Sequence, residues 1–299
     1  MKTFHNGVLV LLCTSALGAA TLNAPLFAAE DDAHNGRREA VTIQGEAVTG
    51  FNQRLGEALW DLGPGFGTAS FAFVFGYNPD GTSPAPLTPT TPGDTLVASG
   101  LDPNFAALLG PFADGIDPSF INVPLKDMPV IVNEFTAERA AVPSTLDAAP
   151  HQPSRSLPNA PITLNAWLDA EGRVRVVCLA DGTAKVSFSF EGLIENGIYT
   201  AWGIFTRDTD DDGRDDQLLA VPLGGVPNAF VAGKHGKARF SRTLGFCPTG
   251  EDTLRLVDIA YHADGNLFGG AVDLYLQGFP GITAATTQMA FPFNVEPVR

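Results

Sequence analysis

The sequence predicts a mostly β protein, with an antiparallel β-sandwich or barrel in its C-terminal half. Three observations support this fold class: many short segments alternate apolar and polar residues, turn dipeptides separate them, and long helical patterns are few. Such alternation indicates strands, because successive side chains of a strand point to opposite faces of a sheet. The 32 glycines, 23 prolines and 21 phenylalanines agree with short strands joined by tight turns.

Residues 1–29 predict a secretory signal peptide. One lysine is followed by an apolar run, VLVLLCTSALGAA, and then by small residues. This run is too short to cross a bilayer, which takes about 20 residues, and no second run of spanning length follows. We expect cleavage near Ala28/Ala29, with Ala20 or Ala24 as alternatives, and a secreted, periplasmic or cell-surface protein without a membrane span. An N-terminal core helix is the alternative interpretation.

Residues 30–136 predict a less regular, β-rich region. Its first part, residues 30–45, is polar and predicts a flexible lead-in. Apolar residues at helical spacing then predict a short amphipathic helix: Phe51, Leu55, Leu59 and Leu62. Four later segments predict strands: TASFAFVFGY, TLVASGL, FINVPL and MPVIVNEFT.

Residues 137–160 are rich in alanine, proline and serine and predict a linker before a β-sandwich domain at 161–299. The alternative is a long loop that wraps a single domain. The strands predicted after it are ITLNAWL, RVRVVCLA, TAKVSFSFEGL, GIYTAWGIFTR, QLLAVPL, NAFVAG, KARFSRTL, TLRLVDIAYHA, AVDLYLQ and TQMAFPFN. In the third of them Val186, Phe188 and Phe190 alternate with lysine and serine, as expected for a strand with one buried face.

Cys178 and Cys247 are the two cysteines that follow the signal peptide, and they predict a disulfide. An even pair in an oxidising compartment is normally bonded, and this bond would close a loop of about 70 residues. A reactive thiol or a metal ligand is the alternative. Neither alternative is supported by a histidine or a further cysteine nearby in the sequence.

The segment DTDDDGRDD, residues 208–216, predicts a calcium site. It places six aspartates within nine positions of a chain that is only 17% charged. Alternate carboxylates on a coiled loop can converge on one point, the glycine permits a sharp turn, and Ca²⁺ prefers such a shell of oxygens. The predicted ligands are the side chains of Asp208, Asp210, Asp212 and Asp216 and the main-chain carbonyl of Arg214. The alternative is an acidic hairpin tip that faces water.

The pattern D-x-D-x-D-G-x-x-D, followed by the apolar LLAV, resembles the calcium loop of integrin-type FG-GAP repeats over residues 208–222. The resemblance implies a nine-residue loop between two strands, with the four aspartates as ligands and Asp211 and Asp215 as outer charge. Thrombospondin-type and dockerin loops share the same core pattern. Position twelve is Leu219, so the glutamate of an EF-hand is missing, and the expected affinity is micromolar to millimolar.

The segment SFEGLIENGIYTAWGIF is similar to the Greek-key crossing of copper/zinc superoxide dismutase-like and chordin-like (CHRD) sandwiches. The resemblance implies an antiparallel Greek-key β-sandwich for the C-terminal half. The positions that carry metal histidines in the dismutase are TAWGI here, so its chemistry is not implied. The stretches LGGVPNAFVA, CP and YHADG further resemble an uncharacterised exported bacterial domain, which implies no activity.

Charge and motifs restrict the classes of function. A formal net charge of −15 disfavours nucleic acid and anionic membranes as partners and favours cations. No H-E-x-x-H and no G-x-S-x-G pattern of a hydrolase occurs. His262, at the end of a predicted strand and close to Asp264, is a candidate functional residue, and a turn-stabilising histidine is the alternative.

We therefore expect a secreted, non-catalytic, calcium-binding β-sandwich protein. Its partner would be an extracellular protein or carbohydrate, or its role would be structural. The alternative is a secreted hydrolase whose catalytic residues come from separate segments of the chain. Those residues would be His262, Asp264 and a carboxylate such as Asp258 or Glu191.

Overall fold

The computed structural model describes residues 40–63, 65–68, 74–77, 85–99, 125, 161–208, 217–225, 228–249, 254–262 and 285–298. The described chain is mostly β and is built on a large curled antiparallel sheet, which confirms the predicted fold class at that level. A helix, α1, spans Leu164–Leu168, and a 3-10 turn spans Lys234–Gly236. In chain order the strands are β1 (Ala40–Ala47), β2 (Gln53–Arg54), β3 (Glu57–Ala58), β4 (Trp60–Asp61), β5 (Val74–Gly76), β6 (Val97–Ser99), β7 (Glu171–Cys178), β8 (Ala184–Glu191), β9 (Ile198–Arg207), β10 (Gln217–Pro222), β11 (Ala229–Val231), β12 (Ala238–Leu244), β13 (Leu254–His262), β14 (Ala285–Pro292) and β15 (Glu296–Pro297).

The main sheet has nine strands in the described chain, in the order β10-β9-β13-β14-β1-β7-β8-β12, with β11 paired to β9. Strand β1 joins its two halves, because residues 40–45 pair with β7 whereas residues 46–47 pair with β14. A strand that changes partner along its length turns a corner, so the two halves fold over each other. We call β10, β9, β13 and β14 the β9 half, and β7, β8 and β12 the β8 half.

An aromatic core lies between the two halves. Phe188 of β8 makes an edge-to-face contact with Phe291 of β14, with ring centroids 5.1 Å apart, although β8 and β14 are not neighbours in the sheet. Phe190 stacks on Phe230 of β11 at 5.1 Å, and Phe230 stacks on Tyr199 of β9 at 5.5 Å. Each such pair adds about 0.5–1.5 kcal/mol beyond the area it buries. The predicted inward face of β8 is therefore the centre of the core.

Residues 40–47 form β1, so the prediction of a flexible lead-in over 30–45 is wrong for its described part. Only Ile43 and Ala47 of this strand pack against the core, so its sequence carries little apolar signal. Its ladders to β7 and β14 hold it in place. The main sheet thus contains residues from before and after the predicted linker at 137–160, which itself lies outside the described residues.

The predicted helix between Phe51 and Leu62 is also wrong. This segment forms β2, β3, β4 and turns, and its apolar side chains pack flat on the outer face of the β9 half. Leu55 has a φ of +55°, which a helix does not allow. The side-chain amide of Asn52 donates to the carbonyl of Trp60 at 2.7 Å and accepts from its backbone N–H at 3.0 Å. A side chain therefore closes this hairpin, and the helical spacing of its apolar residues is coincidental.

The predicted strand ITLNAWL is instead the helix α1. Thr163 caps it, because its Oγ1 accepts a hydrogen bond from the backbone N–H of Ala166 at 3.2 Å. Leu164 and Trp167, three positions apart, are both buried, as expected for one face of a helix. The cap and this spacing were the local signals against a strand.

Strands β5 to β14 agree with the sequence, whereas β15 was not predicted. TASFAFVFGY and TLVASGL contain β5 and β6, and eight further segments overlap β7 to β14: RVRVVCLA, TAKVSFSFEGL, GIYTAWGIFTR, QLLAVPL, NAFVAG, KARFSRTL, TLRLVDIAYHA and TQMAFPFN. The signal peptide, MPVIVNEFT, AVDLYLQ and, apart from Leu125, FINVPL lie outside the described residues.

Cys178 and Cys247, the predicted pair, are bonded, with Cα atoms 5.3 Å apart. Cys178 ends β7 and Cys247 follows β12, so the bond ties together two strands that β8 separates. The disulfide thereby cross-links one end of the β8 half.

Candidate functional site

The predicted calcium segment connects β9 to β10. These two strands pair antiparallel up to Arg207 and Gln217, so residues 208–216 link the ends of a hairpin. Asp208 is half-buried beside the last pair. The other predicted ligands lie outside the described residues: Asp210, Asp212, Arg214 and Asp216. The acidic segment is therefore flanked by a strand on each side.

His262 ends β13 and is buried, with 5% of its surface exposed. Its Nε2 lies 2.8 Å from Oγ1 of Thr200 on β9, and Nε1 of Trp202 donates to the same hydroxyl at 2.7 Å. The Thr200 hydroxyl accepts from the indole and can donate its own proton to a neutral imidazole. Tyr261 and Ile259 enter the aromatic core, so His262 lies on the opposite, outer face of the β9 half.

Asp258 lies on the same face of β13, opposite Trp202 on β9, and is buried. Its Oδ2 accepts from Oγ1 of Thr287 at 3.4 Å, whereas Oδ1 has no hydrogen-bond partner among the described residues. Burial raises the pKa of Asp258 well above its usual range, because the charged form loses its water, and the Thr287 hydroxyl offsets this only in part. Asp258 therefore keeps its proton at pH values where an exposed aspartate is ionised.

The structure does not bring the three described candidate hydrolase residues together: Asp258, His262 and Glu191. Asp258 and His262 are four positions apart on one strand, a separation of about 13 Å. Glu191 is exposed on β8, where it forms an ion pair of its own. Asp264 lies outside the described residues. Thr200 and His262 have the spacing of a nucleophile and its base, but both side chains are covered by the protein.

The acidic segment and His262 lie at opposite ends of β9. His262 pairs with Ile198, the first residue of that strand, whereas the acidic segment follows Arg207, the last. A strand of this length spans about 30 Å. His262 and Asp208, the described residue of the acidic segment, therefore lie near opposite ends of β9.

A buried hydrogen-bond network that the sequence did not predict links β9, β14 and α1. The hydroxyl of Tyr199 donates to Oε1 of Gln288 at 2.6 Å, and Nε2 of Gln288 donates to the carbonyl of Trp167 at 2.9 Å. The indole of Trp167 in turn donates to the carbonyl of Val48 at 2.7 Å. These hydrogen bonds thereby connect the β9 half to the segment that follows β1.

Gln288 occupies a bulge, because the pairing of β13 with β14 shifts by one residue there. The extra residue turns a polar side chain into the core, between the halves of the sheet. Burial, and after it a neighbouring tyrosine, raise the pKa of Tyr199 well above its usual range, so its hydroxyl stays a neutral donor. The sequence signal for this network was a lone glutamine before the apolar run MAFPF.

Replacing Asp258 with asparagine should change how stability depends on pH. Because its folded-state pKa is raised, the folded protein binds this proton more tightly than the unfolded chain does. The stability that this proton gives to the folded protein is fully present below the unfolded pKa of about 4. It is lost as pH rises through the pKa of Asp258 in the folded state. Denaturant titrations from about pH 4 to pH 8 should show wild type losing stability relative to Asp258→Asn.

The matched control is Asp94→Asn, which neutralises an exposed aspartate. This variant measures how much the loss of one exposed carboxylate changes stability. A constant difference between wild type and Asp258→Asn over the same range would contradict the raised pKa.

No protein-family model and no curated protein matches this chain. Within the described residues, no helix is both long and apolar enough to cross a membrane. The same residues contain no group of three His, Cys, Asp or Glu side chains placed to hold a metal ion, but four of the five predicted calcium ligands lie outside them.

Proposed function

We propose that this is a secreted, non-catalytic, calcium-binding β-sandwich protein with a binding or structural role outside the cell or at its surface. The observation that carries the proposal is the position of the acidic segment in the fold. Its nine-residue pattern fills the interval between two strands whose pairing extends to Arg207 and Gln217. Residues opposite each other in such a ladder have Cα atoms about 5 Å apart. Asp208, the first ligand position, directly follows Arg207, and Asp216, the last, directly precedes Gln217.

The hairpin lowers the entropic cost of a calcium site, because the strands already hold both ends of the segment together. Six aspartates within nine positions repel one another, and the whole chain carries a net charge of −15. Four carboxylates, one carbonyl and a water would supply the six or so oxygens that Ca²⁺ takes. Calcium bound there would stabilise the hairpin rather than switch the conformation of the sheet.

The disulfide supports an extracellular setting, because such bonds persist in oxidising compartments and are rare in the cytosol. The signal-like order of residues 1–29 supports the same setting. Secretion into a calcium-containing medium would also match the weak affinity expected for a loop without a glutamate at position twelve.

Calcium should raise the melting temperature of the wild-type protein. At about 100 times its Kd, one bound ion adds about 2.7 kcal/mol, or about 5–10 °C for a chain of this size. Asp212→Ala should abolish this rise, because it removes the oxygen atoms of a predicted ligand. Asp211→Asn removes the same charge from a neighbouring position outside the ligand pattern and should keep most of the rise. Equal melting of wild type in calcium and in chelator would refute a structural calcium site.

A secreted hydrolase around His262 is the second candidate, supported by the 2.8 Å contact between His262 and the Thr200 hydroxyl. The burial of both side chains, and the engagement of that hydroxyl by Trp202, favour a structural role instead. A hydrolytic activity of the wild-type protein that disappears in Thr200→Val, with the fold retained, would reverse this preference.

A further inference from the structure

The outer face of the β8 half carries an unexpected set of side chains for so acidic a protein. On β7, β8 and β12, the residues that alternate with the core point to solvent. Strand pairing aligns them with β1 in three rows: Gln44, Arg173, Ser189 and Arg239; Thr42, Arg175, Ser187 and Ser241; Ala40, Val177, Lys185 and Thr243. We call the patch formed by Arg173, Arg175, Lys185 and Arg239 the basic face.

The basic face contains no counter-charge. None of its aligned positions is acidic, although the chain has 33 Asp and Glu against 18 Lys and Arg. Its four basic side chains are exposed, and none of them forms an ion pair within the described residues. Carboxylates begin in the next row, at Glu171 and Glu191, and Glu191 is already paired with Lys237 at 3.5 Å. Within the part of the chain that the structure describes, the patch therefore presents four positive charges without an acidic partner.

The charges form a flat grid rather than a pocket. Arg173 and Arg175 are successive outward residues of β7, about 7 Å apart along the strand. Arg239 lies across β8 from Arg173, about 10 Å away. Nε of Arg173 donates to Oγ of Ser189 at 3.2 Å, which orients the guanidinium and leaves its terminal nitrogens for a ligand. Such a grid favours an extended polymer that makes several separate contacts.

The chemistry of the grid favours carboxylate or sulfate groups on a hydroxyl-rich chain. A guanidinium binds a carboxylate or sulfate through two parallel hydrogen bonds. Between the cations lie serine and threonine hydroxyls and a glutamine amide, which both donate and accept and so match sugar hydroxyls. The side chains of the three rows are thus complementary to an acidic polysaccharide.

Two other anionic partners match the face less well. Single-stranded nucleic acid is normally held by aromatic side chains that stack on bases, and the aligned positions include no aromatic residue. An anionic membrane surface is normally entered by exposed apolar side chains, whereas the largest apolar residue in the rows, Val177, is half-buried.

We propose that the basic face binds a linear acidic polysaccharide that lies across β7, β8 and β12. The proposal rests on the extracellular binding role proposed above. It does not rest on the predicted calcium site, because the acidic segment follows β9 whereas the basic face lies on β7, β8 and β12. It names the ligand class, a carboxylate- or sulfate-bearing glycan, and the residues that would hold it.

Biolayer interferometry on the full secreted chain tests the proposal, with dextran sulfate, polygalacturonate or neutral dextran on the sensor. Chelator is present throughout, so that a failure of the calcium site does not affect the result. We expect saturable binding to at least one acidic polymer, none to neutral dextran, and a fall in affinity as salt rises. Preference for polygalacturonate assigns carboxylate, and preference for dextran sulfate assigns sulfate.

The double variant Arg173→Ser/Arg239→Ser should weaken binding at least about ten-fold, because it removes two charge-assisted contacts. The matched control Arg54→Ser/Lys234→Ser removes the same charge from outside the face and should bind like wild type. Unchanged far-ultraviolet circular dichroism and melting establish that both variants fold. Equal weakening in the two variants, binding to neutral dextran, or tighter binding to a DNA oligonucleotide or anionic vesicles would overturn the proposal.

Discussion

Replacing Gln288 with leucine should lower the free energy of unfolding by about 2–5 kcal/mol. The substitution keeps most of the side-chain volume but removes the acceptor of the Tyr199 hydroxyl and the donor to the Trp167 carbonyl. The Tyr199 oxygen still accepts from the backbone N–H of Ile194 at 2.8 Å. A buried polar group without its hydrogen bond costs about 1–3 kcal/mol. Urea titration of the folded protein measures the loss directly, as a lower midpoint with an unchanged slope.

A double-mutant cycle with Tyr199→Phe separates the network from simple loss of packing. Phenylalanine removes the hydroxyl that bonds to Gln288, so the second substitution should cost less once the first is present. We expect the two losses to be non-additive by about 1 kcal/mol or more. Additive losses, or a cost of less than about 1 kcal/mol for Gln288→Leu alone, would show that the network does not stabilise the fold.

Removing the disulfide should cost about 4 kcal/mol. The bond joins residues 69 positions apart, and a cross-link of that span removes much of the entropy of the unfolded chain. The double variant Cys178→Ser/Cys247→Ser avoids a free thiol and should unfold at a clearly lower denaturant concentration. Wild type in reductant should move to the same midpoint.

Thr249→Val is the control for this experiment. The Thr249 hydroxyl lies 3.1 Å from Sγ of Cys247 and 3.5 Å from Sγ of Cys178, and the residue is exposed. The variant alters the surroundings of the sulfurs but leaves the cross-link, so its midpoint should stay close to that of wild type. A double cysteine variant as stable as wild type would mean that the disulfide does not stabilise the β8 half.

The strands of the C-terminal half could be predicted because their alternation follows directly from one buried face. In β8 every second residue is apolar, and those residues form the centre of the aromatic core. Strand β1 could not be found in this way, because it is held mainly by backbone pairing to two neighbours. The helix at Leu164–Leu168 was wrongly predicted as a strand, because its apolar residues resemble a strand pattern. The Thr163 side chain caps the first turn and thereby favours the helix.

The strands on both sides of the acidic segment could be predicted, because their apolar residues lie next to it in the sequence. The calcium ligands stay a prediction from the local pattern. The surroundings of His262 could not be predicted, because its partner Thr200 is 62 residues away and meets it only through the register of β13 with β9. The basic face could not be predicted from the sequence either. Each of its strands looks like an ordinary solvated strand, and only the register of β7, β8 and β12 gathers the cations.

Calorimetric titration of the protein with Ca²⁺ tests the central claim most directly. We expect one saturable site with a micromolar to millimolar Kd, lost in both Asp208→Ala and Asp212→Ala and retained in Asp211→Asn. No heat of binding in wild type, or a heat that persists unchanged in both alanine variants, would contradict the calcium site and identify the segment as a solvated hairpin tip.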